Sequence, residues 1–181
     1  MSPNPPVVVH DVTALGELVA GARRQGKRIG LVPTMGALHE GHLSLVRTCR
    51  SECGFTVVSV FVNPSQFGPS EDFGKYPRTL EADVQALASV GTDVVFAPAS
   101  DAMYGPGHAT WVEVGAVAEP LEGQCRPGHF RGVATIVLKL FNLVGADVAY
   151  FGQKDYQQTL VVKQMVRDLD LPIAICVCPT V

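Results

Sequence analysis

Short β-branched runs alternate along this chain with segments of helical period, which predicts an α/β fold: a Rossmann-like, doubly wound, mostly parallel sheet. A second observation points the same way. Phe55–Asn63 (Phe-Thr-Val-Val-Ser-Val-Phe-Val-Asn) is almost continuously β-branched or aromatic, as expected of a parallel strand covered on both faces. Third, 181 residues with 47% hydrophobic and 17% charged side chains are enough to bury a full core, so residues 1–181 are read as one domain and not as a disordered segment. No internal repeat interrupts the alternation.

Taken in order, Val7–His10 is a short strand, and Asp11 or Thr13 can cap a helix running to about Arg24 with Leu15, Leu18, Val19 and Ala22 inward. Gly26 stops it. The next strand, Ile29–Val32, breaks at Pro33 and Gly36 into a loop, and a helix follows from about Gly41 to Cys53, burying Leu43, Val46 and one of Cys49 or Cys53. After the Phe55–Asn63 strand comes Pro64–Arg78, a polar, proline- and glycine-punctuated segment expected to be a functional surface loop. A helix (Thr79–Ser89), a strand (Val94–Ala97), a turn at Gly105-Pro-Gly107 and an alternating strand (Thr110–Val114) lead to Leu121–Gly132, which reads as a lid or substrate loop. Val133–Val144 is a buried helix, Asp147–Phe151 a strand, Asp155 a cap for a helix to about Leu169, and Ile173–Val177 the last strand.

Composition excludes several classes. A net charge of −3 supplies no general field for nucleic acid, so an anionic ligand must be held by a few local groups. Five cysteines, an odd number, do not read as a disulfide framework and are taken as reduced. The first six residues lack a basic region followed by an apolar segment, and no apolar run reaches a membrane span, so a soluble cytoplasmic protein is expected.

The chemistry is concentrated in Pro33-Thr-Met-Gly-Ala-Leu-His-Glu-Gly-His42. Once Glu40 or Gly41 opens the helix, His39 and His42 lie on neighbouring positions of its first turn and face one spot. That spot lies at a helix N-terminus, where free N–H groups and the positive end of the dipole favour a phosphate, and Gly41 would let a ligand approach the backbone. Two surface histidines are the plain alternative, and a zinc site is a third, although Cys49 and Cys53 are too far down the helix to complete it.

The stretches Pro33–His42, Phe61-Val-Asn-Pro-Ser-Gln-Phe67, Tyr76-Pro-Arg-Thr79, Arg126-Pro-Gly-His-Phe-Arg-Gly132 and Phe151-Gly-Gln-Lys-Asp-Tyr-Gln-Gln158, in this order, resemble the pantoate-beta-alanine ligase (pantothenate synthetase) family of the H-x-G-H nucleotidylyltransferase superfamily. The resemblance implies a two-step ligation. Pantoate is activated by ATP as an adenylate with release of pyrophosphate, and the amine of β-alanine then displaces AMP. It further implies an ATP site at Pro33, Met35, Gly36, His39, Gly41, His42, Gly152, Gln153, Lys154, Asp155 and Val181. Catalysis would fall to His42 as proton donor with His39 and Lys154, and pantoate and β-alanine would be held by Gln66, Gln158 and Asn63. Mg²⁺ is the implied metal, with Asp83 at a matching acidic position, although Ala82 stands where some members carry a second acid. A homodimer is also implied.

The residue types suit that chemistry. Cations and N–H donors aimed at the departing pyrophosphate lower the barrier. Neutral glutamines orient a carboxylate nucleophile without pairing it to a charge. Simpler readings stand beside these: Gln66 and Gln158 as solvent-facing amides, Lys154 as a surface lysine, Asp155 as only a cap, and Arg126, His129 and Arg131 as a solvated loop. Family members continue beyond Pro179-Thr-Val181 into a Ser-Ser-Arg-Asn segment and a second domain, so this chain is expected to bind ATP weakly and to make little product.

Overall fold

Six strands, β1 (Val7–Val9), β2 (Ile29–Thr34), β3 (Phe55–Val60), β4 (Val94–Phe96), β5 (Val148–Gly152) and β6 (Ala174–Cys178), form one sheet in the order β1-β4-β3-β2-β5-β6. All five pairings are parallel. This is a computed structural model, and it describes residues 5–68, 71 and 73–181. Residues 1–4, where no signal segment is expected, and Pro69, Ser70 and Asp72 of the expected surface loop lie outside the described residues.

The helices between the strands are α1 (Val12–Arg24), α2 (Glu40–Glu52), α3 (Leu80–Ser89), the single turns α4 (Ser100–Met103) and α5 (Glu122–Cys125), α6 (His129–Val144) and α7 (Tyr156–Asp168). Side chains alternate across the sheet, so two cores form. Ile29, Leu31, Val57, Phe96, Ala149 and Phe151 meet α1, α6 and α7 on one face. Val32, Val58, Val95, Val148 and Tyr150 meet α2 and α3 on the other. The order of connections reverses between β2 and β5, and ligands of open α/β sheets bind at the carboxyl ends of such strands.

Several expected boundaries move for identifiable reasons. The β2 strand continues through Pro33, paired with Ser59, to Thr34. Thr34 O accepts from Phe61 N, so Pro33 turns its nitrogen toward the β5 side, where pairing has already ended at Leu31 and no N–H is needed. The α2 helix buries Leu45, Val46 and Cys49, and it lies so close to β2 that a Cβ on Gly30 would overlap the Cys49 and Cys53 sulfurs. Thr110–Val114 is not a strand: Val112 and Val114 pack on the core in the expected alternation, but the Val112 N–H goes to Thr135 Oγ1 at 3.0 Å instead of to a ladder. The expected 121–132 loop is largely helical, because α6 starts at His129 behind a left-handed Gly128. Asp155 precedes α7 but its side chain makes no cap hydrogen bond. All five cysteines are free thiols. No helix among the described residues is long and apolar enough to cross a membrane.

Two aspartates set the register at the amino ends of the strands. Asp93 Oδ2 accepts from Thr56 N at 2.8 Å, and Asp147 Oδ2 accepts from Ile29 N at 2.7 Å. Each joins a strand to its neighbour before the ladder begins. Asp147→Ala leaves the part-buried Ile29 N–H without this acceptor, and stability should fall by about 1–2 kcal/mol, the range for a hydrogen bond to a charged group discounted for partial exposure. Urea unfolding checks this: an unchanged midpoint would show that the bond contributes nothing.

Candidate active site

The loop from β2 to α2 is held by one carboxylate. Asp83, 3% exposed on α3, accepts from Ala37 N (3.0 Å), Leu38 N (2.8 Å) and Thr79 Oγ1 (3.3 Å). The loop needs that anchor, because Gly36 (φ 83°) and Ala37 (φ 51°) are consecutive left-handed residues and alanine is strained there. A Cβ on Gly36 would also press on Asp83 Oδ2 at 3.0 Å and Val60 at 3.1 Å. With its oxygens engaged in this way Asp83 anchors the loop. Among the described residues no cluster of three or more His, Cys, Asp or Glu side chains could hold a metal ion.

The loop delivers the two histidines. His39 lies outside the helix as the N-cap, an uncommon residue for that job, and its Nδ1 accepts from Gly41 N at 3.1 Å. His42, in the first turn, accepts at Nδ1 from His39 N at 3.3 Å. The rings are 4.2 Å apart between centroids. Each Nδ1 is therefore an acceptor, so each neutral ring carries its proton on Nε2, free to donate to a ligand. Gly41 also makes room for the imidazole, since a Cβ there would come within 2.9 Å of the His39 ring.

These groups line a cavity of about 520 Å³ at the β2/β5 switch point. Pro33, Met35, His39, Gly41, His42, Asn63, Gln66, Gly152, Lys154, Asp155, Gln158 and Val181 all border it, whereas Gly36, Gln153 and Asp83 do not. The amides divide into two kinds. Asn63, 1% exposed, donates from Nδ2 to Gln66 Oε1 (3.0 Å) and Gly132 O (3.2 Å), while its Oδ1 accepts from Tyr104 OH (2.8 Å) and Ser65 Oγ (2.9 Å). It is a structural joint with its polar atoms engaged. Gln66 Nε2 has only the weak acceptor Met35 Sδ at 3.1 Å, so its donor is available to a ligand. Gln158 is half-buried and also lines the cavity.

Lys154 does not stand alone against the dipole of α7. Its Nζ pairs with Asp155 at 3.0 Å, which raises its pKa above the usual lysine value and keeps it charged at the exposed rim. Four apolar residues of α6, Val133, Ile136, Val137 and Leu140, line the cavity with Phe61 and Phe151.

A family model described as pantoate-beta-alanine ligase matches residues 7–181. The chain belongs to the pantoate-beta-alanine ligase family. It is 58% identical over 174 residues to the pantothenate synthetase of Moorella thermoacetica, covering 96% of this chain and 62% of that protein. It is 60% identical over 155 residues to that of Acidobacterium capsulatum, covering 86% of this chain and 52% of that protein. The chain thus spans between about half and three fifths of the length of these relatives. Among solved structures, pantothenate synthetase from Thermus thermophilus superposes with a TM-score of 0.91 at 51% identity, covering 97% of this chain and 62% of that one. Pantoate-beta-alanine ligase from Francisella tularensis, complexed with beta-gamma ATP and beta-alanine, does so with 0.93 at 41%, covering 97% and 67%.

Sequence reasoning on this family member missed the α6 wall, Tyr76 and Glu122 as cavity residues. One signal was present for the wall: α6 is apolar over more than a single stripe, because it covers the sheet on one side and the cavity on the other.

His42 has its pKa lowered from the ordinary 6.5, first by burial and then by the neighbouring His39, against the opposing pull of Asp155 and Asp83. The unfolded chain therefore takes up this proton at higher pH than the folded one, and the associated stability is full above about pH 6.5 and is lost as the pH falls toward the folded value. The loss in melting temperature between pH 8 and pH 5 should be smaller in His42→Ala than in the parent. Parallel curves would contradict the assignment.

Proposed function

We propose that this chain is the ATP- and pantoate-binding part of an enzyme that condenses pantoate with β-alanine through a pantoyl adenylate, releasing pyrophosphate and then AMP. One observation carries the reading. The cavity joins an anion-binding end, made of the α2 N-terminus, His39, His42 and Lys154, to an end with neutral amide donors and the apolar wall of α6. That combination suits a nucleoside triphosphate next to a branched apolar acid with hydroxyl groups. A phosphorylated acceptor would call for a second free cation at the amide end, whereas Arg126 is engaged there by Glu71 and Glu122.

In the first step the pantoate carboxylate attacks the α-phosphorus and the bond to the α,β-bridging oxygen breaks. The Nε2–H groups of His39 and His42, at the positive end of the α2 dipole, would meet the charge that develops there. His42 is neutral in the free chain, so the proton it would give to pyrophosphate has to be taken up as the nucleotide's negative charge raises its pKa. The 3.3 Å cap bond from His39 N is long enough to yield at small cost. Gln66 and Gln158 orient pantoate by hydrogen bonds, and the geminal methyl groups lie against Val133, Ile136 and Val137. In the second step the β-alanine amine attacks the acyl carbon and AMP leaves. On this reading Mg²⁺ enters with the ATP substrate, in keeping with the lack, among the described residues, of a cluster of three or more His, Cys, Asp or Glu side chains that could hold it. The full-length protein is read as a cytoplasmic homodimer, and the 181-residue chain as a weak ATP binder that makes little pantothenate because water reaches the phosphates.

Exchange of labelled pyrophosphate into ATP by the full-length protein tests the reaction. Exchange should require pantoate alone, and His42→Ala should slow it on the order of 10²-fold or more with smaller loss of ATP binding. Exchange that depended on β-alanine would exclude a free adenylate.

Gln66→Ala should weaken pantoate binding about tenfold or more and change ATP binding little, because it also leaves Asn63 Nδ2 one acceptor short in a buried site. Calorimetric titration of each ligand measures it. Equal losses for both would remove Gln66 from the acid-binding end.

A further inference from the structure

Gln66 sits at the end of a single 3-10 turn, Pro64–Gln66, too short to hold its own direction, so something outside the turn must aim its amide. The first turn of α6 does so. His129 is 6% exposed, and its Nδ1 lies 2.9 Å from the Gln66 backbone carbonyl. Its Nε2 lies 3.1 Å from Arg126 Nη1. Arginine cannot accept a hydrogen bond, so Nε2 accepts and the proton is on Nδ1, donated to Gln66 O. This is the opposite tautomer from that of His39 and His42. One turn along the groove, Gly132 O accepts from Asn63 Nδ2, and a Cβ on Gly132 would overlap the Ser65 carbonyl, so the Pro64–Gln66 turn rests directly on the α6 backbone.

We infer that His129 is a positioning residue for Gln66: Arg126 fixes its tautomer, and its Nδ1–H holds the Gln66 carbonyl so that the Gln66 amide faces the acid-binding end of the cavity. Arg126 itself is not the group that holds a substrate carboxylate. Its Nε and Nη2 bind the two oxygens of Glu71 at 2.6 and 3.1 Å, and its Nη1 binds Glu122 at 2.7 Å as well as His129. Four of its donor contacts are thus committed within the protein. The inference rests on the proposed placement of pantoate beside Gln66.

Two variants and one spectrum test it. Imidazole ¹⁵N spectra of the parent should show His129 protonated at Nδ1 and bare at Nε2, with His39 and His42 the reverse. His129→Leu should move the Gln66 side-chain amide signals and raise the pantoate dissociation constant about tenfold, the worth of one buried hydrogen bond, with ATP affinity within about twofold. His129→Asn places an N–H where Nδ1 was and should restore pantoate binding to within about threefold of the parent. A ring protonated at Nε2, a folded His129→Leu with unmoved Gln66 signals, or equal behaviour of the two variants would overturn the inference. Failure of the parent to bind pantoate would instead defeat the reading of the cavity, and the ring-nitrogen and Gln66 signals would still decide the positioning.

Discussion

A single carboxylate sets the direction of the chain at the point where chemistry is concentrated. The N–H groups of Ala37 and Leu38 both find their acceptor in Asp83, which brings α3 against the β2–α2 loop and holds two consecutive left-handed residues in place. Two oxygens serve three donors, an arrangement an amide could not reproduce, since only one of its two polar atoms accepts. Burying a charge is costly unless it is hydrogen-bonded this fully. The α2 helix then begins where the loop leaves it, with its N-cap His39 and its first-turn His42 both bordering the cavity. Were the loop to relax, His39 would lose its place over Gly41, and with it the cap that orients both rings.

Residues of one type divide their work according to whether a protein partner is within reach. Asn63 and Gln66 are both buried amides in one turn, yet the first is satisfied within the protein and the second keeps a donor for a ligand. Arg126 is locked by two glutamates, whereas Lys154 has one carboxylate beside it and the rest of its ammonium open at the rim. Among the histidines, tautomer follows the neighbour: a backbone N–H at Nδ1 turns His39 and His42 into Nε2 donors, and a guanidinium at Nε2 turns His129 into an Nδ1 donor. Composition is a poor guide to role in such a site. The partner decides.

This explains how much the sequence could disclose. Strands and helices were legible because their burial repeats at fixed spacing, as in Leu15, Val19 and Ala22 of α1 or the unbroken run of β3. The H-x-G-H turn was legible because a glycine-rich break between strand and helix has few other uses. Asp83 was not, since its partners lie 45 and 46 residues away and no local pattern marks the pairing. The cap by His39 was hidden for a different reason, because histidine is not among the residues that usually end a helix at this position. Thr110–Val114 shows the limit of periodicity itself: alternation reports which side chains face the core, but a strand also needs a neighbour with free backbone groups.

The α6 helix connects these levels. Its sheet-facing residues bind it into the larger core, and Val133, Ile136, Val137 and Leu140 give the cavity a dry wall. Its first turn meanwhile offers Gly132 O and the His129 ring to the turn that carries Gln66. Wall and amide therefore move as one body, since both are referred to the same helix. On the proposed reading, an acid held between them would have its methyl groups and its oxygens located by a single rigid element, and the phosphates would be located by α2 across the sheet crevice. The distance between nucleophile and phosphorus would then be set by how α2 and α6 sit on opposite faces of β2 and β5, a separation fixed by the packed core. On that reading, alignment of the two substrates would follow from the sheet itself.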